Sequence, residues 1–202
     1  MKTNVHCLLL CAGQSVRMRP HHKLFLPVQK SSVIEHVLEQ IIGANFASMT
    51  VVTGFESQRI ETLLKPFSIQ SVHNPDFASG MHSSIRTGLR SLSTQEGFVA
   101  VCLADQPHLE TKHYETLIEK ASAHSNAMLV CPGFEGQRGN PVLINLKLRD
   151  FILSQPDHDR GCSYLFELYP NDVISVPMSD HSTLLDLDTP EDYQCLLTST
   201  NL

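Results

Sequence analysis

Three polar segments, each following a run of apolar residues, carry the residue types that handle phosphates and divalent cations. The first is Leu10-Cys11-Ala12-Gly13-Gln14-Ser15-Val16-Arg17, continuing through Arg19 to Lys23. Small residues in a turn after a buried strand let backbone N–H groups approach phosphate oxygens, and Arg17 and Lys23 add fixed positive charge. The glycine spacings of the P-loop and of the dinucleotide fingerprint are both absent. On residues alone, this segment reads equally as an anion site or as a basic surface loop. The second segment is Leu103-Ala104-Asp105-Gln106-Pro107. A carboxylate ending an apolar strand suits Mg²⁺, which takes oxygen donors and keeps several waters. An aspartate at such a place before proline suits a turn or a helix cap just as well. The third is Leu184-Leu185-Asp186-Leu187-Asp188-Thr189-Pro190-Glu191-Asp192. Alternation with leucine predicts a strand that turns Asp186 and Asp188 to one side, where they repel unless a cation sits between them. Pro190, Glu191 and Asp192 also suit a first helical turn, so Asp188 reads both as a cation ligand and as a helix start.

Ligands of open α/β sheets lie beyond the carboxyl ends of the strands, so the elements carrying these segments matter. Apolar runs alternate with segments of helical period, the pattern of a largely parallel sheet covered by helices. Strands are expected at Val5–Cys11, Met49–Thr53, Ser68–Val72, Phe98–Leu103, Ala127–Cys131, Val142–Asn145 and Asp172–Val176. Ser32-Val33-Ile34-Glu35 is a capping box, and Ile34, Val37, Leu38, Ile41 and Ile42 form the apolar face of the helix it opens. Ser57–Lys65 reads as a short helix stopped by Pro66. Asn74–Gly80 is turn chemistry, followed by a helix with Ile85, Leu89 and Leu92 on one side. Further helices are expected at Thr111–His124, Leu146–Ser154, Cys162–Leu168 and after Pro190.

With 202 residues, 42% hydrophobic and 18% charged, the chain can build one compact domain over 1–202. A formal charge of −6 argues against a nucleic-acid surface but leaves room for a local phosphate site. Val5–Cys11 is too short to cross a bilayer, so no membrane partner is expected. Six cysteines without a C-x-x-C pair, several in apolar runs, suit a reducing, cytoplasmic setting. The adjacent His21 and His22 do not share a helix face, and no zinc-ligand spacing is present. Arg17 stands where a nucleophile elbow needs its second glycine, which excludes that serine-hydrolase pattern.

Five segments in order resemble the molybdenum cofactor cytidylyltransferases of the molybdopterin nucleotidyltransferase group. Leu10–Lys23 is similar to the family's L-A-A-G-x-S-x-R-M-G…K loop, and Asn74-Pro75…Gly80-Met81-His82-Ser83-Ser84 to its N-P-x-x-x-x-G-x-x-x-S segment. Leu103–Pro107 resembles L-x-D-x-P, Arg138-Gly139-Asn140-Pro141 resembles R-G-x-P, and Asp186–Asp192 resembles D-I-D-T-P-E-D. The resemblance implies a three-layer α/β domain with a mostly parallel, Rossmann-like sheet of nucleotide-diphospho-sugar transferase type. It implies transfer of CMP from CTP to the phosphate of molybdopterin, with release of pyrophosphate. In that reading Leu10, Cys11, Ala12 and Gly13 hold base and sugar, while Ser15 and Arg17 grip the phosphates. Lys23 reaches the α-phosphate and the leaving pyrophosphate, and Gly80, Ser83 and Ser84 help hold the nucleotide. Asp105 binds Mg²⁺ with Asp186 and Asp188, and Lys23, Arg17 and Asp105 form the catalytic set. Arg138, Gly139, Asn140 and Pro141 face the acceptor, and a recipient molybdoenzyme is a transient partner. Alanine at position 12, where guanylyl-transferring relatives carry glycine, points to CTP, because a methyl group facing the base crowds a purine.

Three departures bear on the acceptor more than on the reaction. Arg19 replaces the usual glycine, and His21-His22 lengthens the approach to Lys23 by one residue. His158-Asp159-Arg160-Gly161-Cys162-Ser163 resembles a G-D-x-G-A-R motif with His for the first Gly and Ser for the final Arg. The same fold with another acceptor or with GTP, and a non-catalytic carrier of the molybdenum cofactor, are the competing readings. A reductase activity has no flavin or nicotinamide fingerprint to support it.

Overall fold

The computed structural model describes residues 4–157 and 159–199. Its strands are β1 (Val5–Cys11), β2 (Pro27–Val28), β3 (Ser31–Ser32), β4 (Ser48–Thr53), β5 (Gln70–His73), β6 (Phe98–Leu103), β7 (Leu129–Phe134), β8 (Gln137–Arg138), β9 (Val142–Asn145) and β10 (Val173–Pro177). The helices are α1 (Val33–Gly43), α2 (Ser57–Leu64), α3 (Met81–Ser91), α4 (Thr111–Ala123), α5 (Arg149–Ser154), α6 (Leu165–Leu168) and α7 (Pro190–Ser199). Eight strands form one sheet in the order β10-β7-β9-β6-β1-β4-β5, with β8 paired to β7. On that path β9 alone runs against its neighbours. The chain leaves β1 toward β4 and β5, then returns to place β6 on the other side of β1. The carboxyl ends of β1 and β6 thus flank the point where strand order reverses, the place where open sheets bind ligands.

Alternation along the central strands makes the three layers. Val5, Cys7, Leu9 and Cys11 of β1 and Phe98, Ala100 and Cys102 of β6 pack against residues of α1, α2, α4 and α7. Leu8, Val99 and Val101 point the other way, into a second core with Ile85 and Leu89 of α3, Ile152 of α5 and Leu165 of α6. Two-sided burial explains why these strands read as nearly unbroken apolar runs. The capping box is present, with the Glu35 carboxylate accepting from the Ser32 backbone N–H at 2.8 Å.

Several expected boundaries shift. The third strand is Gln70–His73, because residues 65–67 continue the α2 region as a 3₁₀ turn with Pro66 inside it. The strand expected at Ala127–Cys131 is Leu129–Phe134, drawn on by the hairpin with β8. The expected helix Cys162–Leu168 shrinks to one turn, Leu165–Leu168, and Ile42 is exposed instead of facing the core. The largest correction concerns Asp186 and Asp188. Residues 185–188 join no strand. The Leu187 N–H instead donates to the Asp105 carbonyl at 2.7 Å, with the Leu187 side chain buried in the larger core. That single bond lays the acidic segment across the end of β6.

Leu9 is fully buried in the middle of β1, so Leu9→Ala should cost about 2–5 kcal/mol. A urea titration should show a lower midpoint at unchanged slope; a shift below 1 kcal/mol, taken as a rough threshold, would mean the core closes over the gap.

Candidate active site

Lys23 is the hub of the site. Its ammonium donates to Asp105 Oδ2 at 2.5 Å and to Asp188 Oδ1 at 2.8 Å, with the lysine side chain only 12% exposed. Arg17 holds the other oxygen of Asp188 at 2.7 Å and is itself largely open to solvent. The first and third polar segments thus meet the second at one rim of the sheet. Burial of the Lys23 ammonium works against its charge, but the Asp105 and Asp188 carboxylates more than offset that and raise its pKa.

Each participant is held from behind. Lys23 opens a 3₁₀ turn over 23–25, and its backbone N–H donates to Ser15 Oγ at 3.3 Å. Asp105 follows the last residue pair of the β1–β6 ladder. Asp188 precedes α7, where Thr189 and Asp192 form a reciprocal cap. Asp192 Oδ2 accepts from the Asp188 and Thr189 N–H groups at 3.0 and 2.7 Å, and the Asp192 N–H returns to Thr189 Oγ1 at 3.2 Å. Gln106 is fully buried and donates to Asp186 Oδ1 at 2.8 Å. Desolvation and then the Asp105 charge push the Asp186 pKa up, against that hydrogen bond, with Asp188 adding to the rise.

One cavity reaches this cluster at Asp105, and a second shares Met81 and Leu103 with it. The first, of about 370 Å³, is lined by Leu10, Ala12, Gly13, Gly80 and Ser84 among the residues expected to hold a nucleotide, and by Asp105, expected to hold the metal. No atom lies within 4 Å of where a Cβ on Gly13 would stand, so this wall is open. Gly80 ends the loop before α3 at φ 104°, a conformation for which glycine is suited, and so delivers the α3 N-terminus to the cavity. The second cavity, of about 390 Å³, is lined by Arg138, Gly139 and Asn140 together with Arg160, Gly161, Cys162, Ser163 and Phe166. The Arg138 guanidinium lies 4.2 Å from the centroid of the Phe166 ring. His158 of the altered motif is outside the described residues.

Some expected contact residues stand behind the walls. The Cys11 side chain is packed in the core, where burial, then Asp105 and Cys7, push its thiol well up. Ser83 donates back to the Gly80 and Asp76 carbonyls, so it shapes the loop rather than lining the cavity. Pro141 lies outside the wall formed by its three predecessors. Asn74, buried, donates to both Ser83 and Ser84, at 2.9 and 3.0 Å, and so ties the 74–80 turn to α3. Gln106, Asn74 and the Thr189–Asp192 cap were not singled out by sequence, although T-x-x-D is a capping signature.

Asp105 and Asp188 already share one cation, and Asp186 carries a raised pKa beside Asp105, so negative charge is concentrated here. Among the described residues, however, no three His, Cys, Asp or Glu side chains gather closely enough to hold an ion. An ion such as Mg²⁺ needs only one or two carboxylates, because phosphate and water oxygens complete its shell, and the residues at this rim fit an ion of that kind.

An open, mostly parallel sheet with a cation–carboxylate cluster at its switch point, beside two joined cavities, defines an α/β nucleotidyltransferase fold. The chain belongs to the MobA-like NTP transferase domain family, matched over residues 7–173. It is 29% identical to nicotine blue oxidoreductase of Paenarthrobacter nicotinovorans, over 96% of this chain and 98% of that protein. It is 24% identical to the molybdenum cofactor cytidylyltransferase of Escherichia coli K12, over 94% of this chain and 93% of the relative. The solved structure of Rv0371c from Mycobacterium tuberculosis H37Rv, a manganese complex, superposes with a TM-score of 0.78 at 20% identity, covering 98% of this chain and 100% of that one.

Asp186→Asn keeps an acceptor for Gln106 and removes a charge that repels Asp105 and Asp188. A carboxyl whose folded pKa is raised is most stabilising when protonated, and that contribution is lost as pH rises through the folded pKa. Asp186→Asn should therefore raise the urea midpoint at pH ~7, the gain vanishing below about pH 4, near the unfolded-state pKa. A lower midpoint at neutral pH would show that the ionised carboxylate is stabilised where it stands.

Proposed function

We propose that this chain transfers CMP from CTP to the phosphate of molybdopterin and releases pyrophosphate, using Mg²⁺. The supporting observation is the Lys23–Asp105–Asp188 cluster, set where a nucleotide-sized cavity adjoins a second one walled by Arg138, Gly139 and Asn140. In the reaction an oxygen of the acceptor phosphate attacks the α-phosphorus of CTP, and the bond from that phosphorus to the bridging oxygen breaks. The acceptor is already an anion, so no protein nucleophile or strong base is needed. Both partners are negative, and repulsion and orientation dominate the barrier. A bound Mg²⁺ would be held by Asp105, with Asp188 as the second carboxylate, and supplies neutralising charge to the triphosphate.

Lys23 then exchanges its carboxylate partners for the α-phosphate and the departing pyrophosphate, while Arg17, mostly exposed, swings from Asp188 to the outer phosphates. Ala12 sits 6% exposed in the nucleotide wall, where its methyl group favours the smaller cytosine ring. Arg138 and Arg160 bring positive charge to the acceptor cavity. The cytidylyltransferase relative supports this acceptor, and a recipient molybdoenzyme would take the product. A cytoplasmic setting belongs to the proposal, since all six cysteines are free and no described helix is long and apolar enough to cross a membrane.

The 29% identity to a protein named as an oxidoreductase favours a second reading, an oxidation–reduction reaction in the same cavities. The two are separated by one assay pair: pyrophosphate release with each NTP, Mg²⁺ and the molybdenum-loaded pterin, against oxidation of a reduced nicotinamide cofactor. CTP-dependent pyrophosphate release is expected; turnover with GTP alone would reverse the base assignment, and nicotinamide oxidation alone would overturn the proposal.

Asp105→Ala should abolish transfer while leaving the fold intact, as judged by circular dichroism; normal turnover would remove the metal assignment. Lys23→Ala should lower single-turnover transfer by the loss of about 2–4 kcal/mol of transition-state stabilisation, by analogy with an oxyanion-hole donor. CTP affinity should change far less, and equal losses in the two would place Lys23 in ground-state binding only.

A further inference from the structure

We propose that His22 is a positioning residue for Lys23, acting as the side-chain cap of the turn that carries it. This rests on the reading of Lys23 as the phosphate-contacting cation. His22 is the residue just before the 3₁₀ turn over 23–25, with extended backbone, and its Nδ1 accepts from the Leu24 N–H at 3.3 Å. The same nitrogen lies 3.5 Å from Ser15 Oγ, the atom that accepts from the Lys23 N–H. Two consecutive backbone N–H groups, those of Lys23 and Leu24, are therefore directed by one Ser15–His22 pair. A turn fixed in this way sets where the lysine stem starts and so where its ammonium ends.

The ring itself is clamped. It stacks on Phe55 with centroids 5.6 Å apart and planes at 11°, and Phe25 meets it at 5.1 Å and 64°. Arg59 closes the cluster by lying over Phe25 at 3.6 Å. His22 is 8% exposed, and its Nε2 has no hydrogen-bond partner among the described residues. A buried polar nitrogen without a partner disfavours folding, and a phenylalanine would fill this aromatic niche without that cost. Packing alone does not account for the imidazole; an acceptor at Nδ1 does. Burial lowers the pKa of the ring, Glu56 opposes that, and Arg59 and Lys23 reinforce it, so the neutral acceptor form is favoured.

The test uses two variants of the full chain that separate packing from capping. His22→Phe keeps the aromatic stack and removes the acceptor. His22→Asn loses the stack but restores a short side chain able to cap the turn. The expected result is a fall in kcat of about 10-fold or more for His22→Phe, since small misplacements near the chemistry are costly. The KM for CTP should stay within about 2-fold, and His22→Asn should recover most of the lost kcat. A phenylalanine variant with wild-type kcat, or an asparagine variant no better than it, overturns the proposal. An activity-independent arm reads the position of the Lys23 ammonium in crystal structures of the wild type and of both variants. It should stay within hydrogen-bond distance of Asp105 and Asp188 in the wild type and in His22→Asn, and leave at least one of them in His22→Phe. The same two contacts in all three proteins also overturn the proposal. If the positions differ as expected while no protein transfers a nucleotide, the functional reading fails and the positioning role stands.

Discussion

Two carboxylates sharing one ammonium is an arrangement that exists only while something positive stays between them. Asp105 and Asp188 come from distant parts of the chain, 83 positions apart in the numbering, and Lys23 is the charge that lets them face each other. Partial exposure keeps the energy of such a network modest, on the order of 1 kcal/mol. Its value is therefore not chiefly in stability. In the proposed reaction the same charges would receive a metal-bound triphosphate, with Lys23 and Arg17 passing from carboxylate to phosphate oxygens.

The sheet topology makes this meeting unavoidable. Because β6 returns beside β1, the loop after β1 and the end of β6 open at the same rim. Asp188 reaches that rim by another route, through the hydrogen bond from Leu187 N–H to the Asp105 carbonyl and the Thr189–Asp192 cap on α7. α3 contributes from the opposite layer, delivered by Gly80 and fastened to the preceding turn by Asn74. Both cavities are thus walled in part by the end of β6, through Leu103, and by the start of α3, through Met81.

Much of this was legible in the sequence. β1, β6 and β9 read directly because their apolar runs are bounded sharply, and the α1 cap followed from Ser32 and Glu35. By residue type alone the three polar segments read as surface loop, turn and helix cap as well as phosphate or cation site; the structure brings them together at one rim. Other features depend on contacts between distant segments. Asp186 and Asp188 alternate with leucine as a strand would, but the Leu187 N–H goes to the Asp105 carbonyl just past β6, and the Asp188 N–H goes to Asp192, rather than to a neighbouring strand. Cys11 and Ser83 fall inside motifs yet turn their side chains away from the cavity, because a strand alternates and a helix start uses its serine locally. The dihistidine before Lys23 read as an extra residue and not as a metal site; in the fold His22 Nδ1 accepts from the Leu24 N–H while its ring stacks on Phe55, from another loop.

The direct measurement is a crystal structure of the chain with Mg²⁺ and a CTP analogue whose α–β bridge cannot be cleaved. The account predicts cytosine against Ala12 and Gly13, Asp105 on the metal, and the Lys23 ammonium moved onto an α-phosphate oxygen. A triphosphate bound away from Lys23, or bound beside it with the Asp105–Lys23–Asp188 bridge intact, would contradict it.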